Sequence, residues 1–279
     1  MELKVLKLKI YQPTAHYRIQ FTFVRRHTYP IPPYSTVIGL ICNVLGIREG
    51  QNENFEKLKD GLSLAIYGNY EYLNREYMWF RTLNKDSHVS RFGLQENRFI
   101  NQLPEHPGGQ IPTRVDVLEN VKLVIYIKHE DENFLETLKN AFENPSNRIY
   151  PIHLGRAEDL VVFEEVKIIN IREEKKPLYG GLEKYRFTWL VDPRRGEKYL
   201  DFSFYPENYS DFFDEVQGSY HQITSFYRIV GGIRVFEEIP VKLFGGGFFP
   251  LFFGKPFKFI FDEEENLPLF FTKMIYPEG

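Results

Sequence analysis

The chain has 279 residues, a formal net charge of −3 at pH 7 and a hydrophobic fraction of 43%. This length suffices for one or two domains with a sizeable core, and no apolar run reaches the roughly 20 residues that a membrane helix needs. The charged, alternating start of the chain does not resemble a signal peptide, and the single cysteine, Cys42, excludes an intrachain disulfide. We therefore expect a cytoplasmic protein without a membrane anchor, whose 26 Phe and 18 Tyr favour strands and contact surfaces.

The first part of the chain alternates between strand and helix patterns. Apolar and charged residues alternate along 3–11, which predicts a first strand. Turn and basic residues follow at 12–34, and a strongly apolar segment predicts a buried helix at 35–46. A short helix at 54–60 and a second alternating segment at 61–70 complete this part.

The stretch 29–46 is the most distinctive part of this pattern. Its three prolines hold the backbone extended before the helix. We expect Ser35 or Thr36 to accept hydrogen bonds from the first free N–H groups and Gly46 to end the helix. Because the first turn of a helix favours negative charge, this entry is a candidate anion site.

Basic residues surround this stretch. No Asp or Glu occurs between residues 3 and 48, whereas the same span contains Lys4, Lys7, Lys9, Arg18, Arg25, Arg26 and Arg48. A basic region on a slightly acidic protein indicates a defined polyanion site rather than general adhesion to nucleic acid. The alternative is a solvated edge strand and loop with ordinary basic residues.

Residues 71–115 are polar, rich in arginine and contain several prolines and glycines. A structureless loop of this length is unusual inside a compact domain, so we predict a protruding β-hairpin or arm. A third strand is expected at 121–127, an amphipathic helix at 133–142 and a fourth strand at 160–171.

The predicted order βαββαβ is the ferredoxin-like split βαβ order, which the RNA-recognition motif shares, although we find no match to that motif's signature. We therefore predict an α+β fold, with a ferredoxin-like (RRM-like) domain at 1–171 and an inserted hairpin at about 71–117. Residues 172–279 are predicted to form a smaller β-rich subdomain. Its strand-like segments are 185–191, 199–205, 222–229 and 233–243.

Three motifs resemble the CRISPR-associated Cas-five family, in family order. They are HTYPIPPYSTVIGLICNVLG at 27–46, PTRVDVL at 112–118 and PIHLGRAED at 151–159. The resemblance implies a ferredoxin-like domain of the RAMP type, an arm called the thumb, and a variable C-terminal β part.

The resemblance also implies a role in antiviral defence, as a subunit of a type I CRISPR surveillance complex (Cascade). Family members grip and cap the 5′ handle of the CRISPR RNA (crRNA), and they contact a backbone subunit and the large subunit. Target DNA is a further candidate contact of the thumb. The sequence as a whole most resembles type I-B-like members, in which a separate endonuclease cuts the precursor RNA. We therefore expect a non-catalytic RNA-binding subunit with no cofactor and no metal.

A single-stranded handle presents phosphates that Arg and Lys neutralise, and bases that stack on aromatic or Arg planes. Glycines allow close backbone approach to RNA. The predicted RNA-binding residues are Arg18, Arg25, Arg26, Tyr29, Tyr34, Ser35, Arg81, Lys85, His88, Arg91, Arg114, Arg156, Gly245, Gly246 and Gly247. For each arm arginine the alternative is an exposed surface charge, and for the glycines it is a hairpin turn.

An enzyme remains the alternative function, because some relatives cut precursor RNA without metal. Such cleavage needs a base for the 2′-hydroxyl, an acid for the leaving oxygen and a cation for the phosphate. The candidate residues are His16, His27 and His88, although no spacing singles out a triad. Neither a metal-ligand pattern nor a P-loop is present in the sequence. A protein-binding scaffold without an RNA role is a third possibility, against which the acid-free span argues.

Overall fold

The computed structural model describes residues 2–48, 53–81, 99–100, 103–104, 110–176, 184–201, 209–245 and 257–277. The helices are α1 (Tyr34–Val44), α2 (Glu53–Lys59), α3 (Glu132–Glu143) and α4 (Tyr209–Glu215), with a 3-10 turn at Glu197–Tyr199. The strands are β1 (Glu2–Ala15), β2 (Tyr17–Arg18), β3 (Arg25–Arg26), β4 (Thr28–Tyr29), β5 (Ser63–Asn69), β6 (Tyr72–Arg81), β7 (Phe99–Ile100), β8 (Leu103–Pro104), β9 (Gln110–Lys128), β10 (Val162–Lys176), β11 (Phe187–Val191), β12 (Gly218–Val230), β13 (Ile233–Phe244), β14 (Phe257–Asp262), β15 (Leu267–Leu269) and β16 (Thr272–Lys273). None of the described helices combines the length and the apolar character that crossing a membrane requires.

The centre of the fold is an antiparallel sheet in the order β5-β9-β1-β10. Helix α1 connects β1 toward β5, and α3 connects β9 to β10 and packs on β10 and β1. The apolar side chains of α3 that face this sheet are buried, and Asp131 caps the helix by accepting from the N–H groups of Asn133 and Phe134. The predicted ferredoxin-like order is therefore confirmed.

Strand β9 is much longer than the predicted third strand. Its second half pairs with β5 and β1 in the core. Its first half pairs with β6, from the residue pair Arg81 and Gln110 to the residue pair Tyr72 and Glu119. The predicted arm and the predicted third strand are thus parts of one continuous element. Two neighbouring strands form the described root of the arm, as the hairpin prediction expected.

The C-terminal half extends the same sheet at both sides. Strands β11, β13 and β12 continue outward from β5, while β14 and β15 continue outward from β10. Hydrogen bonding therefore does not stop at the proposed boundary near residue 171, and the division into two domains stays a prediction. The expected strand at 199–205 is wrong in its described part, because a 3-10 turn ends at Tyr199. Helix α4 was not predicted.

The start of α1 differs from the sequence expectation. The N-cap residue is Pro33, and no side chain caps the helix. Ser35 Oγ instead lies 2.6 Å from Thr224 Oγ1 of β12, so the first turn packs against protein. Because a neighbouring strand covers this turn, the structure does not support the candidate anion site there. Gly46 follows the helix with a φ of +71°, as expected for a residue that ends a helix.

A buried ion network joins β1 to the C-terminal half. Lys7 has no exposed side-chain surface, and its ammonium group donates to Asp262 at 2.9 Å and Glu264 at 2.8 Å. Tyr126 donates to the same Asp262 carboxylate at 2.6 Å. A buried carboxylate requires such partners, so the network fixes the position of the turn after β14 relative to β1.

Replacing Lys7 with Met should lower the free energy of unfolding by about 3–5 kcal/mol, because buried Asp262 then lacks its cation. Lys4→Met is the matched control on the same strand. Lys4 pairs with Glu132 at 2.7 Å in an exposed position, so its loss should cost less than about 1 kcal/mol. Urea unfolding followed by circular dichroism measures both values. Equal losses in the two variants would contradict the importance of the buried network.

Candidate nucleic-acid interface

The root of the arm is a three-stranded surface made by β3, β9 and β6. Strand β3 pairs in parallel with β9 at Arg25–Arg114, and β6 pairs with β9 at Tyr77–Arg114. Because directly opposed residues of neighbouring strands share a face, these three side chains form one row. Arg75 lies opposite Asp116 in the next row. We refer to this face as the arm platform, whose residues are Arg25, His27, Arg75, Tyr77, Trp79, Arg114 and Asp116.

Asp116 is the buried carboxylate that three cationic or polar side chains of the platform contact. Its side chain is 5% exposed and accepts hydrogen bonds from His27 Nδ1 at 2.8 Å and Arg75 Nε at 3.2 Å. Arg25 Nη2 lies 3.8 Å from the same carboxylate. Burial alone would raise the pKa of Asp116, but the hydrogen bonds from Arg75 and His27 and the charge of Arg25 lower it below its ordinary value. The carboxylate therefore stays ionised and orients the cations around it.

Two aromatic side chains stand on the same face as these cations. Tyr77 is 61% exposed and Trp79 is 58% exposed, and their rings meet edge to face at 6.1 Å. Large aromatic rings are seldom left in water without a partner surface. Exposed rings beside arginines can stack on bases while the guanidinium groups bind phosphates. This combination makes the platform a candidate surface for single-stranded nucleic acid.

The predicted basic residues separate onto two faces. Arg25 and Arg114 lie on the platform, whereas Arg26 follows Arg25 in the strand and therefore points to the opposite face. Arg18 pairs with Thr28 in a separate two-stranded sheet, and it is near enough to Arg26 for its charge to lower the pKa of Arg26. The sequence prediction grouped all these arginines without this distinction.

The three candidate histidines have different positions. His27 is on the platform and is 41% exposed. His16 is buried, with Nδ1 2.8 Å from the Asp116 carbonyl, and burial lowers its pKa below the ordinary value despite that hydrogen bond. Because Nε2 of His16 is also buried, we correct its assignment as an accessible nuclease candidate. His88 lies outside the described residues. Among the described residues, no group of His, Cys, Asp and Glu could hold a metal ion.

The sequence matches the family described as CRISPR-associated protein (Cas_Cas5) over residues 5–239. The chain belongs to this CRISPR-associated family. The family assignment made from the three motifs is therefore confirmed.

One comparison with a solved structure supports the fold. A structure described as "CRISPR RNA-guided surveillance complex" is 13% identical, with a TM-score of 0.50, and the match covers 91% of this chain and 90% of the other. A CRISPR protein from Archaeoglobus fulgidus is 11% identical, with a TM-score of 0.42 and coverage of 97% and 100%. No match was found among curated proteins.

The aromatic residues of the first Cas-five motif belong to the core. Tyr34 is fully buried, its hydroxyl lies 2.7 Å from Thr272 Oγ1, and burial raises its pKa above the ordinary value. Tyr29 is 7% exposed and packs edge-on against Trp189 at 5.4 Å. Neither ring is free to stack on a base, which corrects the RNA-binding assignment of both tyrosines. Ser35 is likewise engaged with Thr224.

The third motif forms a structural loop rather than a phosphate contact. Asp159 is fully buried and accepts from the Arg156 guanidinium at 2.8 Å and from the His16 backbone N–H at 2.9 Å. Arg156 also donates to Glu76 of β6 at 3.0 Å. At Gly155, where φ is +112°, a Cβ would lie 2.9 Å from Asp159 Oδ2. Because the Arg156 side chain is only 15% exposed and already pairs with Asp159 and Glu76, the RNA-binding assignment of Arg156 is corrected.

The remaining predicted residues lie largely outside the described residues. These are Lys85, His88, Arg91, Gly246 and Gly247, and nothing is described for the Arg81 side chain. Gly245 has a packing reason of its own, because a Cβ there would lie 2.8 Å from the Phe187 ring. Its contact with RNA stays a prediction.

Sequence reasoning missed Tyr77 and Trp79 as site residues, and it included Arg75 only as part of an arginine-rich segment. A signal was present, because Arg75, Tyr77 and Trp79 recur with the period of two that places residues on one strand face. The central role of Asp116 had no comparable signal. A lone aspartate in a motif does not reveal which distant cations it will meet.

Replacing Arg156 with Gln should lower the free energy of unfolding by about 3–5 kcal/mol, because Asp159 then remains buried without its cation. Arg114→Gln is the matched control at an exposed position, and its change should stay within about 0.5 kcal/mol. Guanidinium unfolding curves measure both. An unchanged midpoint for Arg156→Gln would contradict the structural role of this arginine.

Proposed function

We propose that this chain is a non-catalytic subunit of a CRISPR ribonucleoprotein complex and that it holds crRNA on the arm platform. The observation that carries the proposal is the arrangement of Arg25, Arg75 and Arg114 beside the exposed rings of Tyr77 and Trp79. Membership of the CRISPR-associated family supports the same function.

The platform suits single-stranded RNA for a physical reason. Phosphates bind to cations that are already oriented, and Asp116 holds Arg25 and Arg75 before any ligand arrives. Pre-orientation reduces the side-chain entropy lost on binding. Stacking on Tyr77 and Trp79 requires bases that are not paired in a duplex, which favours a single-stranded segment over a double helix.

The finer assignment follows the motif resemblance. In this proposal the bound segment is the 5′ handle of crRNA in a type I-B-like Cascade, and the chain caps that end of the complex. The partners would be the backbone subunit and the large subunit, with target DNA as a further contact of the thumb. The proposal includes a cytoplasmic location.

Removing the platform cations should weaken RNA binding and reduce its salt dependence. In Arg25→Gln plus Arg114→Gln, the slope of log K against log salt should fall by about 0.7 for each lost phosphate contact. Trp79→Ala should cost about 1–3 kcal/mol of binding energy through lost stacking, with little change in the slope. Fluorescence anisotropy with a repeat-derived RNA measures both effects.

The control for this experiment is Arg195→Gln, because Arg195 is 74% exposed in the turn after β11, away from β3, β6 and β9. The assay uses the chain alone and the chain assembled with its partner subunits. Equal binding by wild type and the double variant in both preparations would refute the platform as the RNA site.

One observation favours a second function, metal-independent RNA cleavage. His27 Nδ1 lies 2.8 Å from the Asp116 carboxylate, so Nδ1 carries the proton and Nε2 is the basic nitrogen of the neutral ring. Such a pair can act as a general base for a 2′-hydroxyl, and nearby Arg25 and Arg75 can stabilise the phosphate.

Incubation of repeat RNA with the protein and excess EDTA separates the two functions. We expect binding without cleavage, because the platform contains His27 as its one histidine and offers no second imidazole to protonate the leaving oxygen. The matched variant is His27→Gln, which keeps a hydrogen-bonding side chain but removes the base. Metal-independent cutting that disappears in His27→Gln would establish the nuclease and overturn the non-catalytic proposal.

A further inference from the structure

The face of the arm root opposite the platform is also cationic. Arg26 is paired with Val115 of β9, and its side chain shares this face with Phe80 of β6. The Arg26 guanidinium group lies 3.8 Å from the centroid of the Phe80 ring. Arg18 lies near enough to Arg26 for its charge to lower the pKa of Arg26, and its guanidinium is 5.9 Å from the Phe23 ring. We call this surface the reverse face, defined by Arg18, Phe23, Arg26 and Phe80.

The guanidinium group of Arg26 is stacked on the Phe80 ring, whereas Arg18 makes a longer cation–π contact with Phe23. An arginine lying over an aromatic ring loses freedom to rotate, and its N–H donors remain available at the edges of the plane. Arg18 uses one donor for the Thr22 carbonyl at 3.0 Å. This hydrogen bond and the contact with the Phe23 ring orient the remaining donors of Arg18, as expected for a group that binds an anion.

The two arginines of the reverse face lack acidic partners, because Glu76, which lies on this face beside Val115, pairs with Arg156 instead. Within the described parts of the chain, no carboxylate lies within salt-bridge distance of Arg18 or Arg26, whereas Arg25, Arg75 and Arg156 each have one. Burial lowers the pKa of Arg26 below its ordinary value, and the charge of Arg18 lowers it further. The two cations therefore destabilise each other unless an anion binds between them.

One buried polar atom of these arginines also lacks a hydrogen-bond partner. It is Nε of Arg26, an N–H donor. An unsatisfied buried donor is costly, and such atoms in native proteins commonly mark a missing ligand, ion or water. A donor without an acceptor, on a cation without an acidic partner, suits an anionic ligand.

We propose that Arg18 and Arg26 bind the phosphodiester backbone of a second single-stranded nucleic-acid segment, on the reverse face of the arm root. The exposed rings favour nucleic acid over an acidic protein. Phe23 is 69% exposed beside Arg18, and Phe21, two positions earlier in the chain, is 83% exposed, so both rings supply stacking surfaces for bases. The inference rests on the proposed function and deepens it, because it assigns a second nucleic-acid path to named residues away from the platform.

The test counts binding events on the full chain. Eight-nucleotide oligo(U) RNA and oligo(dT) DNA are titrated separately, and the stoichiometry is measured by calorimetry and sedimentation. Wild type should bind two oligonucleotides per chain. Arg18→Gln plus Arg26→Gln should weaken one event about tenfold or more and leave the other unchanged. If the double variant does not fold, Arg18→Gln alone, at an exposed position, should still weaken the same binding event, though less strongly.

The matched control is Arg25→Gln plus Arg114→Gln, which should remove only the platform event. If that variant leaves both events intact, the proposed function of the platform fails while the reverse-face inference stands. A single event in wild type, or two events that Arg18→Gln plus Arg26→Gln leave unchanged, would overturn the inference. Poly-glutamate that displaces the reverse-face oligonucleotide at equal affinity would also overturn it, in favour of an acidic protein partner. A preference for oligo(U) or oligo(dT) identifies RNA or DNA as the bound segment.

Discussion

Buried carboxylates that bind cations from distant segments hold this structure together. As whole residues, Asp116, Asp159 and Asp262 are each at most 4% exposed. A carboxylate removed from water remains charged only when donors and cations surround it, so each one requires a specific set of neighbours. Asp262 fixes the C-terminal turn on β1, Asp159 fixes the 151–159 loop at the end of β1, and Asp116 arranges the platform. The same physical requirement therefore assembles the fold and prepares the candidate site.

The acid-free N-terminal span illustrates how charge along a sequence differs from charge on a surface. Lys7 and Lys9 lie within that span, yet both bind carboxylates of β10 and of the 262–265 turn. Their charges are neutralised by residues more than 150 positions away in the chain. The basic surface that remains comes from the arginines around β2 and β3. The sequence asymmetry correctly indicated a basic region, but it overestimated how much of it reaches solvent.

The ferredoxin-like core could be predicted because its signals are local. Alternation along β1 and helical spacing along α3 need only neighbouring residues, and both elements were found with small errors at their ends. The start of α1 could not be predicted in the same way, because Ser35 meets Thr224, a residue 189 positions away. The grouping of the platform residues could not be predicted for a related reason. Grouping Tyr77 with Arg25 depends on the pairing of β3 with β9, which brings together segments 89 positions apart.

The 19 residues of β9 run from the arm into the core without a break. At the junction, Asn120 has a φ of +53°, and its side chain accepts from Tyr11 of β1 at 2.9 Å and donates to Glu71 at 2.9 Å. These contacts on both sides make the junction a stiff joint rather than a hinge. In mechanical terms the arm is a lever built on a central strand. A load applied at its root passes along the backbone into the β5 and β1 ladders, where it acts as shear on many hydrogen bonds at once.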